Sequence, residues 1–220
     1  MPIMVSMHED LLLPLFPLGV VLLPHNQLPL HIFEDRYKAM IGQVIAAGAE
    51  FGVVLAAGRE GLMPNGCTAT VEEVAERYPD GRMDIVTLGR RRFIVESVDT
   101  TLEYLRARVS YFDDDDNSST VELRRRAILA CQRLPWPDDN PEERQFDIDS
   151  PQLSFQLARY VADLDFRQQF LVMRSESARL ERLIEYVPGY VAHSGQAERL
   201  KEVAVKNGHG HLPPGLVKGS

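Results

Sequence analysis

Between Leu11 and about Phe112, apolar and polar positions alternate in short runs broken by glycine and proline and rich in β-branched residues, the period of strands. The plainest run is Tyr104-Leu-Arg-Ala-Arg-Val-Ser-Tyr111. Leu105, Ala107, Val109 and Tyr111 fall on one face and Arg106, Arg108 and Ser110 on the other, so one side is expected to be buried and the other wet. Asp80-Gly81 separates two extended segments and supplies the backbone angles of a tight hairpin turn. In the second arm, Gly89 interrupts the pattern before Arg90-Arg91-Arg92, and a glycine there marks a bulge or bend that would help a sheet close on itself. One helix breaks this half. Tyr37, Met40, Ile41, Val44 and Ile45 recur at helical steps, predicting a helix over 35–47 stopped by Gly48, with the strand Phe51-Gly-Val-Val-Leu55 after it.

At Asp113-Asp-Asp-Asp-Asn-Ser-Ser119 the composition changes, and the run reads as a solvated linker; it lacks the glycine and terminal glutamate of a calcium loop. Ser119 or Thr120 is placed to cap the next helix, with Glu122 in its first turn. From Val121 the period is helical, and three to four helices are expected. Leu153, Leu157, Tyr160, Val161 and Leu164 form one stripe, and Leu180, Leu183, Ile184, Val187 and Val191 another. The prolines of Leu134-Pro-Trp-Pro-Asp-Asp-Asn-Pro141 predict an extended loop, and Pro188-Gly189 a kink or break in the last helix. The division expected is therefore 1–116 for a mostly antiparallel, closed sheet with one helix, 117–206 for helices, and a frayed tail over 207–220.

The formal net charge of −8 disfavours a general nucleic-acid binder, whose affinity comes from cations neutralising phosphates. Cys67 and Cys131 have no ligand-type spacing and read as reduced, buried, small apolar residues, which suits a reducing compartment. No apolar run reaches the ~20 residues that span a bilayer, and no basic leader is seen; a cytoplasmic location is expected.

Searches for chemistry are mostly negative. There is no phosphate-cradling Gly-x-x-x-x-Gly-Lys-Ser/Thr loop, no Gly-x-Gly-x-x-Gly after a strand and no Gly-x-Ser-x-Gly elbow. His25 and His31 lack a third ligand at metal spacing and read as hydrogen-bonded structural histidines; no metal and no cofactor are expected. Arg90, Arg91 and Arg92, with Arg82 across the bend, are a candidate basic spot, although alternation turns Arg91 away from its neighbours and acids are numerous enough to pair with all three. Arg124, Arg125 and Arg126 read as the wet face of a helix.

The most unusual stretch is Leu13-Pro-Leu-Phe-Pro-Leu-Gly-Val-Val-Leu-Leu-Pro-His-Asn-Gln-Leu-Pro-Leu-His-Ile-Phe-Glu-Asp-Arg-Tyr37. On physics alone it is a set of short buried extended pieces. It also resembles the opening signature of the Lon protease N-terminal domain family: Pro-Leu-Phe-Pro-Leu, a later proline, Leu-Pro-Leu-His-Ile-Phe-Glu and the pair Arg36-Tyr37. The likeness continues through Phe51–Leu55, Gly66-Cys-Thr-Ala69, Gly81-Arg82 to Phe93, Leu153–Ala158 and Arg179–Leu183, about residues 11 to 205 in all. Cys67 stands in place of the usual threonine.

The resemblance implies an α+β fold, a PUA-like β pseudobarrel followed by a C-terminal helical bundle. It also implies a free-standing, non-catalytic module that recognises unfolded or exposed apolar segments of other proteins or acts as an adaptor in protein quality control. The ATPase and Ser-Lys peptidase regions of full-length Lon proteases have no counterpart in these residues, so the chain is not expected to be an enzyme. Expected binding residues are Phe16, His31, Phe33, Arg36, Tyr37, Arg90 and Arg91, and the expected surface is the cleft where barrel meets helices. RNA binding, by fold analogy alone, is the alternative.

Overall fold

The computed structural model describes residues 12–58, 61–134 and 146–207, those after 193 as helix backbone only. The proline-rich stretch after Leu134 and the tail from 208 lie outside the described residues. Six strands and five helices follow in order: β1 (Leu13–Leu18), β2 (Gln27–Ile32), α1 (Asp35–Ala47), β3 (Phe51–Ala56), β4 (Leu62–Arg77), β5 (Met83–Asp99), β6 (Arg106–Phe112), α2 (Val121–Cys131), α3 (Leu153–Ala158), α4 (Leu164–Val172) and α5 (Glu176–Asn207).

The sheet runs β2-β5-β4-β3-β1-β6, and a further β5–β6 pairing closes it into the expected pseudobarrel. β1 and β3 are parallel, with Phe16 opposite Val53. Parallel neighbours need a crossover, and the segment holding β2 and α1 supplies it. The long strand β5 serves two partners in turn, β2 along Met83–Leu88 and β6 along Arg92–Asp99. β2 therefore keeps one edge unpaired among the described residues.

Local chemistry explains the turns. Gly81 takes φ +84° in the β4–β5 hairpin, where Tyr78 N–H donates to the Arg82 carbonyl at 2.9 Å. The register of β4 on β5 shifts between Cys67 and Ala69, opposite Gly89 and the arginine run. That bulge corrects the expected alternation: Arg90 and Arg91 are both exposed and Arg92 is 3% exposed. A side chain at Gly89 would sit 2.2 Å from the Leu23 carbonyl oxygen, so only glycine lets the β1–β2 connection approach β5 so closely.

Side chains alternate between two apolar clusters. Leu13, Leu15, Val54, Phe93 and Ala107 form the smaller. The larger takes Phe16, Val53 and Cys67 from the sheet, Met40 and Ile41 from α1, and Phe155, Phe170, Leu183 and Val187 from the helices, so barrel and bundle share one core. In β6, Ala107 is buried, but Tyr111 is 45% exposed at the strand's end, where Arg91 covers its ring at 3.9 Å. On the face expected to be wet, Arg106 is partly buried and bonded to Asp99 at 3.0 Å.

The stripe from Leu153 to Leu164 does not make one helix. α3 ends at Ala158, and Asp163 starts α4 by accepting a hydrogen bond from Phe166 N–H at 2.8 Å, so a strong cap outcompetes a continued apolar period. Conversely, α5 continues through Pro188. Buried Leu180, Leu183 and Val187 hold it from within, and the Tyr186 ring stacks on Phe166 at 4.1 Å, packing that outweighs the donor lost at the proline. Thr120 caps α2, accepting from Leu123 N–H at 3.2 Å.

Asp113, Asp115 and Asp116 are exposed, as a solvated linker requires, but Asp114 departs from that reading. The Asp114 side chain is fully buried and bound to two arginines: Arg92 Nη2 donates to Oδ1 at 2.6 Å, and Arg179 Nη1 donates to Oδ1 at 2.6 Å while its Nη2 donates to Oδ2. Arg179 also donates to Glu176 at 2.9 Å and to the Ser154 hydroxyl at 2.8 Å, and both guanidiniums reach the Met173 carbonyl. Two cations and two carboxylates cancel in a buried junction between β5, α3 and α5. Burial alone would raise the Asp114 carboxyl. The Arg179 hydrogen bond and charge, with those of Arg92, together hold it below the usual carboxylate range. Arg124 likewise leaves the wet face expected for it and donates to the Ile148 and Ser150 carbonyls at 2.6 and 2.9 Å.

Candidate functional site

The signature residues named as binding candidates do not gather in one place. Phe16 and Tyr37 are core: they are 6% and 8% exposed, with ring centroids 4.2 Å apart. They hold α1 against β1 and β3 and offer little surface. Arg36 lies over the Tyr37 ring at 4.6 Å and pairs with Glu34 at 2.7 Å.

His31 and Phe33 stand at the outer end of β2. His31 Nδ1 is 2.6 Å from Asp84 Oδ1, and its ring stacks on Phe33, which is 60% exposed. The His31 bond, with one from the Tyr78 hydroxyl, lowers the Asp84 carboxyl below its usual range. Arg90 and Arg91 lie elsewhere, on the order of 20 Å along β5 at the strand rise. Arg91 pairs with Glu50 at 3.1 Å. With Arg92 buried and Arg82 held by Asp80 at 2.6 Å, the four arginines do not make a basic spot. His25 Nε2 is 2.7 Å from Gln152 Oε1, and no cluster of three metal-type ligands occurs among the described residues.

The barrel does meet the helices in a cleft of about 350 Å³. One wall is the β1–β2 connection and the start of β2, with Val20, Leu22, Asn26 and Leu28; the other is the α3–α4 turn and α4, with Arg159, Ala162, Leu164 and Arg167. Val20 and Leu164 are more than a third exposed, so the floor is apolar and open to solvent.

The turn beneath Asn26 is tightly pinned. Asn26 N–H donates to the Leu23 carbonyl at 3.2 Å, Gly89 N–H donates to the Asn26 carbonyl at 2.9 Å, and His25 N–H donates back to the Gly89 carbonyl at 2.8 Å. His25 takes φ +61°, a left-handed conformation costly for a non-glycine residue, which the paired bonds to Gly89 and Gln152 sustain.

Two groups in the cleft are chemically unusual. Asn26 is 4% exposed, yet neither its Nδ2 nor its Oδ1 has a protein partner. Arg167 ties the walls together: Nε and Nη2 donate to the Val21 carbonyl at 3.0 and 2.7 Å, and Nη1 to the Arg159 and Val161 carbonyls at 3.2 and 3.3 Å. All of these acceptors are neutral. Burial pushes its guanidinium down to about 10, leaving it cationic at neutral pH. Arg159 is exposed at the rim, over the Tyr160 ring at 4.9 Å, and also borders a neighbouring hollow of about 340 Å³ beside His25 and Gln152.

The meeting of barrel and helices is where the sequence leads one to look, but none of these residues is among those it singles out. Asn26 stands between His25 and Gln27 in a short polar break of the apolar stretch, which does not set it apart from its neighbours.

A six-stranded closed sheet sharing its core with a helical bundle, and an open apolar cleft between them, define a binding-domain architecture. The family model described as the ATP-dependent protease La (LON) substrate-binding domain matches residues 12–188. The chain belongs to that family. The Lon protease of Flavobacterium johnsoniae is 27% identical over 149 residues, a match covering 62% of this chain and 18% of that protease. Among solved structures, a Lon N-terminal domain protein from Xanthomonas campestris superposes with a TM-score of 0.64 at 25% identity, covering 80% of this chain and 98% of that one. The N-terminal domain of the Mycobacterium avium complex Lon protease shares the fold with a TM-score of 0.56 at 18% identity, over 80% of this chain and 98% of that one. The matched family is described as a substrate-binding domain, and the chain spans less than a fifth of the length of the Flavobacterium johnsoniae protease. No helix among the described residues is long and apolar enough to cross a membrane.

Proposed function

We propose that this chain holds unfolded or exposed apolar segments of other proteins in the cleft between barrel and bundle, without chemically altering them, in a cytoplasmic quality-control role. The observation that carries the reading is the cleft itself: Val20, Leu28 and Leu164 give an open apolar floor on a surface otherwise well supplied with charge. The family's substrate-binding role supports it. Free, buried Cys67 and Cys131 suit a reducing compartment.

The test is capture of a chemically denatured client against the same client folded, by light scattering and pull-down, with wild type and Leu164→Glu. Wild type should retain the denatured client only. Leu164→Glu should retain several-fold less at an unchanged melting temperature, since Leu164 is already 38% exposed. Equal indifference to both clients would overturn the reading, and so would turnover of ATP or peptide by the purified chain.

A further inference from the structure

We infer that the cleft recognises an extended polypeptide segment through its backbone, by the Asn26 carboxamide, and favours an apolar side chain flanked by acidic ones. This rests on the protein-binding reading above and names the chemistry of its substrate.

Three observations converge. A buried amide normally finds partners inside the fold, yet Asn26 lines the cleft with its donor and its acceptor both unpaired by protein. Side by side in one plane, they match the carbonyl and N–H that an extended residue presents from its own backbone. Gln27 and Leu28, the next two lining residues, begin β2, the strand whose second edge carries no neighbour among the described residues. An extended chain is the shape that suits such an edge.

Charge supplies the preference. Arg167 spends its hydrogen bonds on carbonyls, and Arg159 stands exposed at the rim, so two cations overlook an apolar floor with no carboxylate among the described residues that line it. An acidic flank on the bound segment meets them, and a basic flank is repelled. Asn also reads adenine through the same pair of atoms, but single-stranded nucleic acid needs aromatic platforms for its bases, and no aromatic side chain lines the cleft among the described residues.

The test is fluorescence anisotropy of the full chain with three labelled probes: a short peptide alternating leucine with glutamate, the same peptide with lysine for glutamate, and a short adenine-rich RNA. Wild type should prefer the glutamate peptide about tenfold or more. Asn26→Leu should lose at least about tenfold in affinity for it while melting at or above the wild-type temperature, because an apolar side chain relieves the unpaired amide. A merely structural Asn26 would lower the melting temperature and leave binding alone. Arg159→Glu, an exposed change that spares the fold, should invert the peptide preference.

Equal binding of both peptides, with Asn26→Leu and Arg159→Glu without effect, overturns this inference while leaving general capture of denatured client intact. Failure to retain either peptide or any denatured client overturns both. Tight binding of the RNA alone would also defeat both.

Discussion

Replacing Asp114 by Asn tests the account of the junction most directly. The change keeps the side-chain shape and removes one negative charge from a site where Arg92, Arg179 and Glu176 are all buried. Neutrality becomes one uncompensated buried cation, and at least one guanidinium hydrogen bond meets an amide N–H in place of an oxygen. Breaking a buried ion pair from one side costs about 3–5 kcal/mol. For a chain of this size each kcal/mol shifts the melting temperature by about 2–4 °C, so a fall of about 6–20 °C is expected.

Asp115→Asn is the matched control. Asp115 is 69% exposed and paired with a half-exposed Arg174 at 2.8 Å, an interaction worth about 0–1 kcal/mol. Urea titration followed by far-UV circular dichroism gives both values, with calorimetry as the second readout. The pH dependence adds a sign. Asp114 is lowered on folding, so its contribution is complete above its ordinary value of 3.8 and is lost as pH falls through the lower folded value. The gap between wild type and Asp114→Asn should be constant near neutrality and shrink in acid below pH 3.8. Equal stabilities of the Asp114→Asn and Asp115→Asn variants at neutral pH would refute the reasoning and restore the reading of the run as a solvated linker.

Gly89→Ala forces a methyl group to within 2.2 Å of the Leu23 carbonyl oxygen and should destabilise the chain by about 2 kcal/mol or more, visible as a lower urea midpoint; an unchanged midpoint would show that the β1–β2 connection is not pinned there. Asp163→Ala removes the α4 cap and the acceptor of the Tyr186 hydroxyl at 2.6 Å, a loss of about 1–2 kcal/mol by the same titration. Burial pushes the Cys67 and Cys131 thiols up to about 12, so neither should react with a thiol-directed dye at mildly alkaline pH until urea unfolds the chain; rapid labelling of the native protein would contradict their burial.

What could be read from the sequence was whatever depends on near neighbours. Helix α1 and its stop at Gly48, the Asp80-Gly81 hairpin and the Thr120 cap each rest on residues within a few positions of one another. What escaped depends on distant partners. Asp114 looks like one of four equivalent aspartates until Arg92 and Arg179 arrive from 22 and 65 positions away. The cleft joins residues 20–28 to 159–167, and the Arg167 bonds to Val21 cross 146 positions. Phe16 and Tyr37 drew attention because they belong to a long motif, but a motif that builds a barrel wall is written largely in core residues. Of the kink or break expected at Pro188, the break weighed one lost hydrogen bond and could not weigh the aromatic stack and buried leucines that hold α5 together.

The core common to sheet and helices has a practical corollary for anyone dissecting the molecule. Severing the chain near Asp116 would strip Phe155, Phe170 and Leu183 of the strands they lean on, and Phe16 and Cys67 of the helices opposite. Each fragment would present a raw apolar face and aggregate, so neither wall of the cleft can be studied apart from the other. A segment held in the cleft would meet two walls set in a single block.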